Sequence, residues 1–210
     1  MYFIYQIEGK FEPELSHLKS LVDGGGVAVD VGANLGLYTY RLSQLATHVY
    51  AFEINQDVTK DLKSYEAKNV TLINRGLSSR EGMARLYIPV FRGFALNGWG
   101  SLTEGNYRDA TDHLTVDAPV EILDRYNLTD VNFIKIDVEG HEVEVLMGAA
   151  RTIERNRPKL LVEIKEQNMP AVRTFFQCRG YRMLKLEDLI GVAGADENYI
   201  FIPEKGSQSP

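Results

Sequence analysis

The chain has 210 residues, 44% apolar and 25% charged, which suits one globular domain with a full-sized core. Its formal charge of −6 argues against a protein that binds by neutralising phosphates, so nucleic acid is not an expected partner. The single cysteine, Cys178, allows neither an intrachain disulfide nor a thiolate metal centre and reads as a small apolar residue near a helix end.

In chain order, Tyr2-Phe3-Ile4-Tyr5 suggests a short strand, and a helix follows Pro13 with Leu15, Leu18, Leu21 and Val22 on one face. The opening segment lacks a basic leader, and no run approaches the roughly 18 apolar residues of a membrane span, so a cytoplasmic protein with no membrane partner is expected. After Asp23-Gly24-Gly25-Gly26, the stretch VAVDVGANLG (27–36) reads as a buried strand interrupted by Asp30, a turn with Gly32, Asn34 and Gly36, and a helix start. Glycines four apart let the backbone approach a ligand, and the free N–H groups of the first helical turn face it. A dinucleotide fingerprint needs G-x-G-x-x-G, whereas Asn34 holds the middle glycine position and Leu37 follows Gly36, which weakens a pyrophosphate ligand.

Helix about 36–46, strand 48–53, helix 55–67 and strand 70–74 continue an α/β alternation, with Asp57, Lys60 and Asp61 on the solvated face of the second helix. Glu53 ends its strand where doubly wound folds place a carboxylate on ribose hydroxyls, and as a strand-end group it should bury little area. Adenosine without pyrophosphate suggests S-adenosylmethionine. Gly76 to Ser79 turns the chain and Met83 to Val90 is an extra strand. Phe91 to His113 is a long aperiodic loop carrying Phe91, Phe94, Trp99 and Tyr107, and its aromatics favour function over disorder. A short helix over 120–126, strand 131–138, helix 142–156, strand 159–164, helix 169–180, strand 181–186 and a hairpin partner at 199–202 follow, then a frayed tail from Lys205.

DVGANLG at 30–36, AFE at 51–53, IKIDVEGHEVEVLMGA at 134–149 and LLVEI at 160–164 resemble, in this order, the motifs of the FkbM family of S-adenosylmethionine-dependent methyltransferases. The resemblance runs from about Phe11 to Tyr181. It implies a Rossmann-like class I methyltransferase fold, with a mostly parallel seven-stranded sheet and an antiparallel C-terminal hairpin. One domain would span 1–204, with an N-terminal helical extension (1–26) and an acceptor lid (91–113), and 205–210 as a flexible tail. It further implies O-methylation of a sugar, glycan or natural product, with S-adenosylhomocysteine as product. By the same resemblance Asp30 helps organise the methionine end of the cofactor, and Asn74, Gly76 and Leu77 contact adenine.

Asp137, Glu139 and His141 stand at the carboxyl end of the fourth core strand, across the switch point from the glycine turn, where ligands of such sheets lie. Asp137 should face cofactor or acceptor. A sugar hydroxyl attacking a methyl group needs a base for its proton, and these three are the candidates. Glu142 reads as a helix residue, while Glu163 closes the fifth strand at the pocket edge and Trp99 could stack on a sugar ring. His17, His48 and His113 are not spaced as metal ligands. No metal is expected, although Asp137, Glu139 and Glu163 could hold Mg²⁺ as a minority alternative. The absence of a D/N-P-P-Y/F run favours oxygen over amine acceptors. A non-catalytic S-adenosylmethionine-binding regulatory or scaffold module is the alternative function, and an NAD-dependent oxidoreductase is disfavoured by the missing glycine and the lack of Y-x-x-x-K.

Overall fold

Side chains alternate across a strand, so a strand covered on both faces sends every second residue to each of two cores. The computed structural model describes residues 13–63, 67–107, 109–191 and 197–204. Its strands are β1 (Val27–Val31), β2 (His48–Phe52), β3 (Val70–Ile73), β4 (Gly76–Leu77), β5 (Gly82–Phe91), β6 (Phe94–Ala95), β7 (Asp112–Glu121), β8 (Val131–Ile136), β9 (Lys159–Glu163), β10 (Tyr181–Lys185) and β11 (Asn198–Pro203). Seven of them form one sheet in the order β10-β11-β9-β8-β1-β2-β3. Only β11 runs antiparallel to its neighbours, β9 and β10. The mostly parallel sheet with its antiparallel C-terminal hairpin is the expected one.

On one face Val29, Val31, Ile134, Ile136, Leu160, Val162 and Phe201 pack against helices Glu142–Gly148, Ala150–Asn156 and Met169–Gln177. On the other, Ala28, Val49, Phe133, Leu161 and Ile200 are covered by Leu15, Leu18, Leu42 and Leu186. Continuing that alternation to the carboxyl ends of the strands brings Asp30, Lys135 and Glu163 onto the second face. Its apolar core therefore ends in a row of charged groups.

Several sequence expectations are corrected. Residues 120–126 are not one helix: Asp112–Glu121 is a strand paired antiparallel with β5 from Gly82 to Val90, and only Leu123–Tyr126 is a 3-10 turn. Isolated strand propensity is weak across DHLTVDAPVE, and the long pairing with β5 supplies what it lacks. Gly76–Leu77 is a two-residue strand, not a turn, and joins β7, β5 and β6 in a second sheet. The helix expected over 142–156 breaks at Ala149. There the Asp124 carboxylate accepts the N–H groups of Arg151 (2.9 Å) and Thr152 (2.7 Å), capping a new helix start from outside. Cys178 is exposed rather than packed. The second core helix is described as Thr59–Lys63, with Lys60 paired to Asp57 at 2.8 Å. Residues 2–5, 64–66 and 205–210, expected as strand, helix and tail, lie outside the described residues. Among the described residues no helix is long and apolar enough to cross a membrane.

Candidate active site

The chain leaves β1 through Gly32, whose φ of 78° is left-handed and where an added Cβ would lie 1.8 Å from the backbone oxygen of Asp137. The Asp137 N–H donates to Val31 O at 3.0 Å, so the ends of β1 and β8 are laid directly against one another. Gly32 and Ala33 donate to Phe52 O at 3.0 Å each, drawing in the end of β2. Asn34, itself left-handed at φ 49°, donates its N–H to Glu53 Oε2 at 2.9 Å, and the Asn55 N–H donates to Oε1 at 2.7 Å. Each Glu53 oxygen thus takes one backbone donor and retains a further acceptor position. Burial raises the Glu53 pKa against the pull of those two donors. With 8% of its surface exposed, Glu53 is not the little-buried strand-end group expected from sequence, because the turn after β1 closes on it.

These strand ends floor a cavity of about 400 Å³. Gly32, Asn34, Glu53, Gly76 and Leu77 line it near β1, β2 and β4; Asp137, Glu139, His141 and Glu163 line it near β8 and β9, with Trp99 from the long loop. Three sequence candidates lie outside its wall. Asp30 is fully buried beneath the turn, where its Oδ2 accepts from Thr39 Oγ1 at 2.6 Å. Burial raises its pKa, while Lys135 and the Thr39 bond oppose the rise. Gly36 serves packing, since a Cβ there would stand 2.4 Å from Leu62 Cδ1, and the Asn74 amide donates to Thr59 Oγ1 at 3.0 Å.

Two lysines partner the acids. Lys135 Nζ donates to Asp137 Oδ2 at 2.9 Å and lies 4.4 Å over the Tyr38 ring. Lys165 Nζ lies 2.9 Å from Glu163, 3.2 Å from Glu139 and 2.8 Å from Glu197. Burial pulls the Lys165 ammonium down, but these carboxylates more than offset it and hold its pKa raised. Glu163 is pushed up to about 7 by burial and by the nearby Asp137 charge, despite the bond from Lys165. His141 Nε2 lies 3.0 Å from Ser78 Oγ, Nδ1 is 3.6 Å from the Glu144 carboxylate, beyond hydrogen-bond reach, and burial lowers the imidazole pKa. Glu142 opens its helix and accepts the Gly140 N–H at 2.6 Å, which holds the 139–141 bend.

The long loop folds back over the cavity. Asn34 Nδ2 donates to Gly98 O at 3.1 Å and Asn55 Nδ2 to Asn97 O at 2.9 Å. Further on, Ser101 Oγ donates to Glu139 O at 2.5 Å and Thr103 Oγ1 to Gly140 O at 2.9 Å. Trp99, half exposed, stacks on Tyr107 with ring centroids 5.6 Å apart and meets the Phe91 ring edge-on at 6.1 Å. Lys135, Lys165, Asn55 and Ser101 were not singled out from sequence. A lysine inside an apolar strand, as Lys135 is, was the available signal, because a buried ammonium requires a partner.

The strand order, with antiparallel β11 and a crevice at the β1–β8 switch point, defines a Rossmann-like methyltransferase fold. Similar solved structures include the methyltransferase FkbM from Methylobacillus flagellatus KT (TM-score 0.59, 16% identity, 87% of this chain and 45% of that one). An rRNA methylase from Streptococcus thermophilus gives a TM-score of 0.50 at 13% identity, covering 90% of this chain and 92% of that one. SMU.1697c of Streptococcus mutans, solved in complex with SAH, gives 0.50 at 15% identity, covering 90% and 94%. At these identities the likeness is one of fold.

Residues 30–183 match the methyltransferase FkbM domain, and the chain belongs to that family. Over 130 residues it is 32% identical to the hexuronic acid methyltransferase AglP of Haloferax volcanii, a match covering 60% of this chain and 50% of the relative. The chain thus spans about half the length of that relative.

Proposed function

We propose that the protein is an S-adenosylmethionine-dependent O-methyltransferase acting on a hydroxyl of a sugar, glycan or glycosylated small molecule. The observation that carries this reading is one cavity with the Glu53 carboxylate at the end of β2 and the Asp137–Glu139–Glu163 cluster beyond β1. Glu53 and Glu163 close strands separated by two others, roughly 14 Å apart at the spacing of neighbouring strands, so donor and acceptor can lie side by side. The chain's residues fit the cofactor: Glu53 has acceptor positions left for ribose hydroxyls, and Phe52, Ile54, Val58 and Leu77 add apolar wall for a planar base. The carboxylates of Glu14, Glu53, Asp137, Glu139, Glu163 and Glu197 around the cavity suit a cationic donor.

The bound cofactor supplies an electrophilic methyl group. The protein orients the acceptor hydroxyl and removes its proton. His141 is turned to Ser78 through Nε2, whereas Glu163 lines the cavity with a proton affinity matched to neutral pH. Glu163, rather than the sequence candidates Asp137, Glu139 or His141, is therefore assigned as general base, with Asp137 and Glu139 positioning the acceptor. The acid oxygens lie within 4.8 Å of one another, a spacing a divalent cation would accept, but the Lys135 and Lys165 ammonium groups already partner them, which favours a metal-free reaction. The stretch expected as one aperiodic loop over 91–113 includes the end of β5, β6 and the start of β7, and its part between β5 and β7 acts as acceptor lid within a single domain. A hexuronic acid methyltransferase among the relatives supports a sugar acceptor.

Calorimetric titration with S-adenosylmethionine, followed by S-adenosylhomocysteine release across a panel of neutral sugars and hexuronic acids, tests the proposal. Binding without release for any acceptor would favour the non-catalytic module. Glu53→Ala is expected to weaken the cofactor by roughly 1.5–3 kcal/mol, the scale of charge-assisted hydrogen bonds. It should also lower Tm, since the Asn34 and Asn55 N–H groups lose their acceptor. Unchanged affinity in the titration would move the cofactor elsewhere. Trp99→Ala should raise the acceptor KM while leaving the cofactor Kd as it is, since an aromatic face serves the sugar. A changed cofactor Kd would argue against the lid.

A further inference from the structure

Glu14 belongs to no sequence motif used above, and it precedes the family match at residues 30–183. It sits in the 3-10 turn Pro13–Ser16, anchored by Leu15 and Leu18, both fully buried against the second face of the sheet. That anchoring aims the Glu14 side chain at the charged end of this face, where it lines the same cavity as Glu53 and Asp137. The residue is only 4% exposed. Oε1 accepts the Tyr38 hydroxyl at 2.8 Å, while Oε2, buried as well, has no hydrogen-bond partner among the described residues. Tyr38 lies in the first turn of the helix that follows the Gly32–Gly36 turn, so its bond to Glu14 holds this carboxylate at the β1 side of the cavity, whereas Glu53 follows β2.

A buried carboxylate oxygen without a donor is costly, and a ligand that supplies an N–H removes that cost. Lys135, which lies over the Tyr38 ring, donates to Asp137. A cofactor whose ribose lies on Glu53 extends its amino-acid portion across the glycine turn toward Glu14. We infer that Glu14 binds the α-ammonium group of the cofactor's methionine portion, Oε2 accepting one of its N–H groups while Tyr38 fixes the carboxylate through Oε1. This rests on the S-adenosylmethionine reading above. It makes Glu14 a cofactor-binding residue supplied by the segment before the glycine turn, and it gives the N-terminal extension a role in ligand recognition as well as packing.

Two probes separate the inference from that reading: S-adenosylhomocysteine, which carries the amino-acid portion, and 5′-methylthioadenosine, which lacks it. Calorimetric Kd values for Glu14→Gln should show S-adenosylhomocysteine weakened by about 10- to 100-fold, with 5′-methylthioadenosine within about twofold. Tyr38→Phe, which keeps the carboxylate but frees it to turn, should weaken S-adenosylhomocysteine by a smaller factor, about 3- to 10-fold, and again spare 5′-methylthioadenosine. Equal S-adenosylhomocysteine affinity in wild type and Glu14→Gln overturns the inference. So does a parallel loss of both probes, which would make Glu14 a structural residue, with Tm as the control. A wild-type protein that binds 5′-methylthioadenosine as tightly as S-adenosylhomocysteine overturns it while leaving the adenosine site in place. Wild type binding neither probe overturns the cofactor reading and this inference together.

Discussion

Gly32→Val is expected to destabilise the protein by roughly 2–6 kcal/mol, combining left-handed strain with overpacking. The reason is not the one the motif suggests. In a glycine-rich turn the missing side chain is ordinarily taken to make room for ligand, yet the Cβ of residue 32 would stand 1.8 Å from the Asp137 backbone oxygen. Backbone cannot swing aside as a side chain can. The Val31–Asp137 hydrogen bond that joins β1 to β8 would have to break, and the crevice at the switch point would open with it. Cofactor binding then fails because the site is lost, and thermal melting should show the damage without any ligand present. Gly32→Ala should show a smaller version of the same fall. A valine variant with wild-type Tm and no affinity would return Gly32 to a purely ligand-facing role.

Glu163→Gln is expected to lower kcat by roughly 10²–10⁴-fold with the cofactor Kd little changed, the range for loss of a general base. In the wild type the rate should climb as pH rises through about 7, where this carboxyl gives up its proton, and the variant should lose that limb. Stability moves in the opposite direction. The unfolded chain releases this proton near the ordinary 4.5, the folded protein only near about 7, so between them the folded state holds more protons and stability falls as pH rises. Replacing Glu163 by Gln should flatten that fall in Tm. Asp137→Asn makes the contrast: its carboxylate is committed to Lys135, so its loss should raise the acceptor KM and keep the pH limb, moved to lower pH because the Asp137 charge no longer helps to hold the Glu163 proton. Near-normal turnover by Glu163→Gln, together with an intact limb near pH 7, would hand the base role back to Asp137 or Glu139.

The sequence by itself determined the parallel core. Local periodicity is enough for strands buried on both faces, because VAVDV, HVYAF, VNFIKI and KLLVE are short apolar runs closed by turns or helices. It also determined which groups reach the crevice from those strands, since a side chain's position along a parallel strand places it relative to the carboxyl end. Gly32, Glu53, Asp137 and Glu163 all line the cavity for that reason. Elements held by distant partners were not legible. β7 is a strand because β5 lies beside it, and the helix after Gly148 restarts because Asp124, more than twenty residues earlier, caps it. Only the tertiary structure decided how the charges divide: Lys135 goes to Asp137, Lys165 is shared among Glu139, Glu163 and Glu197, and His141 is turned to Ser78. Glu14 entered the cavity by the same route. Spacing along the chain says which face a residue occupies, but a carboxylate's proton affinity and partners depend on what folding buries beside it, and those neighbours come from segments far apart in sequence.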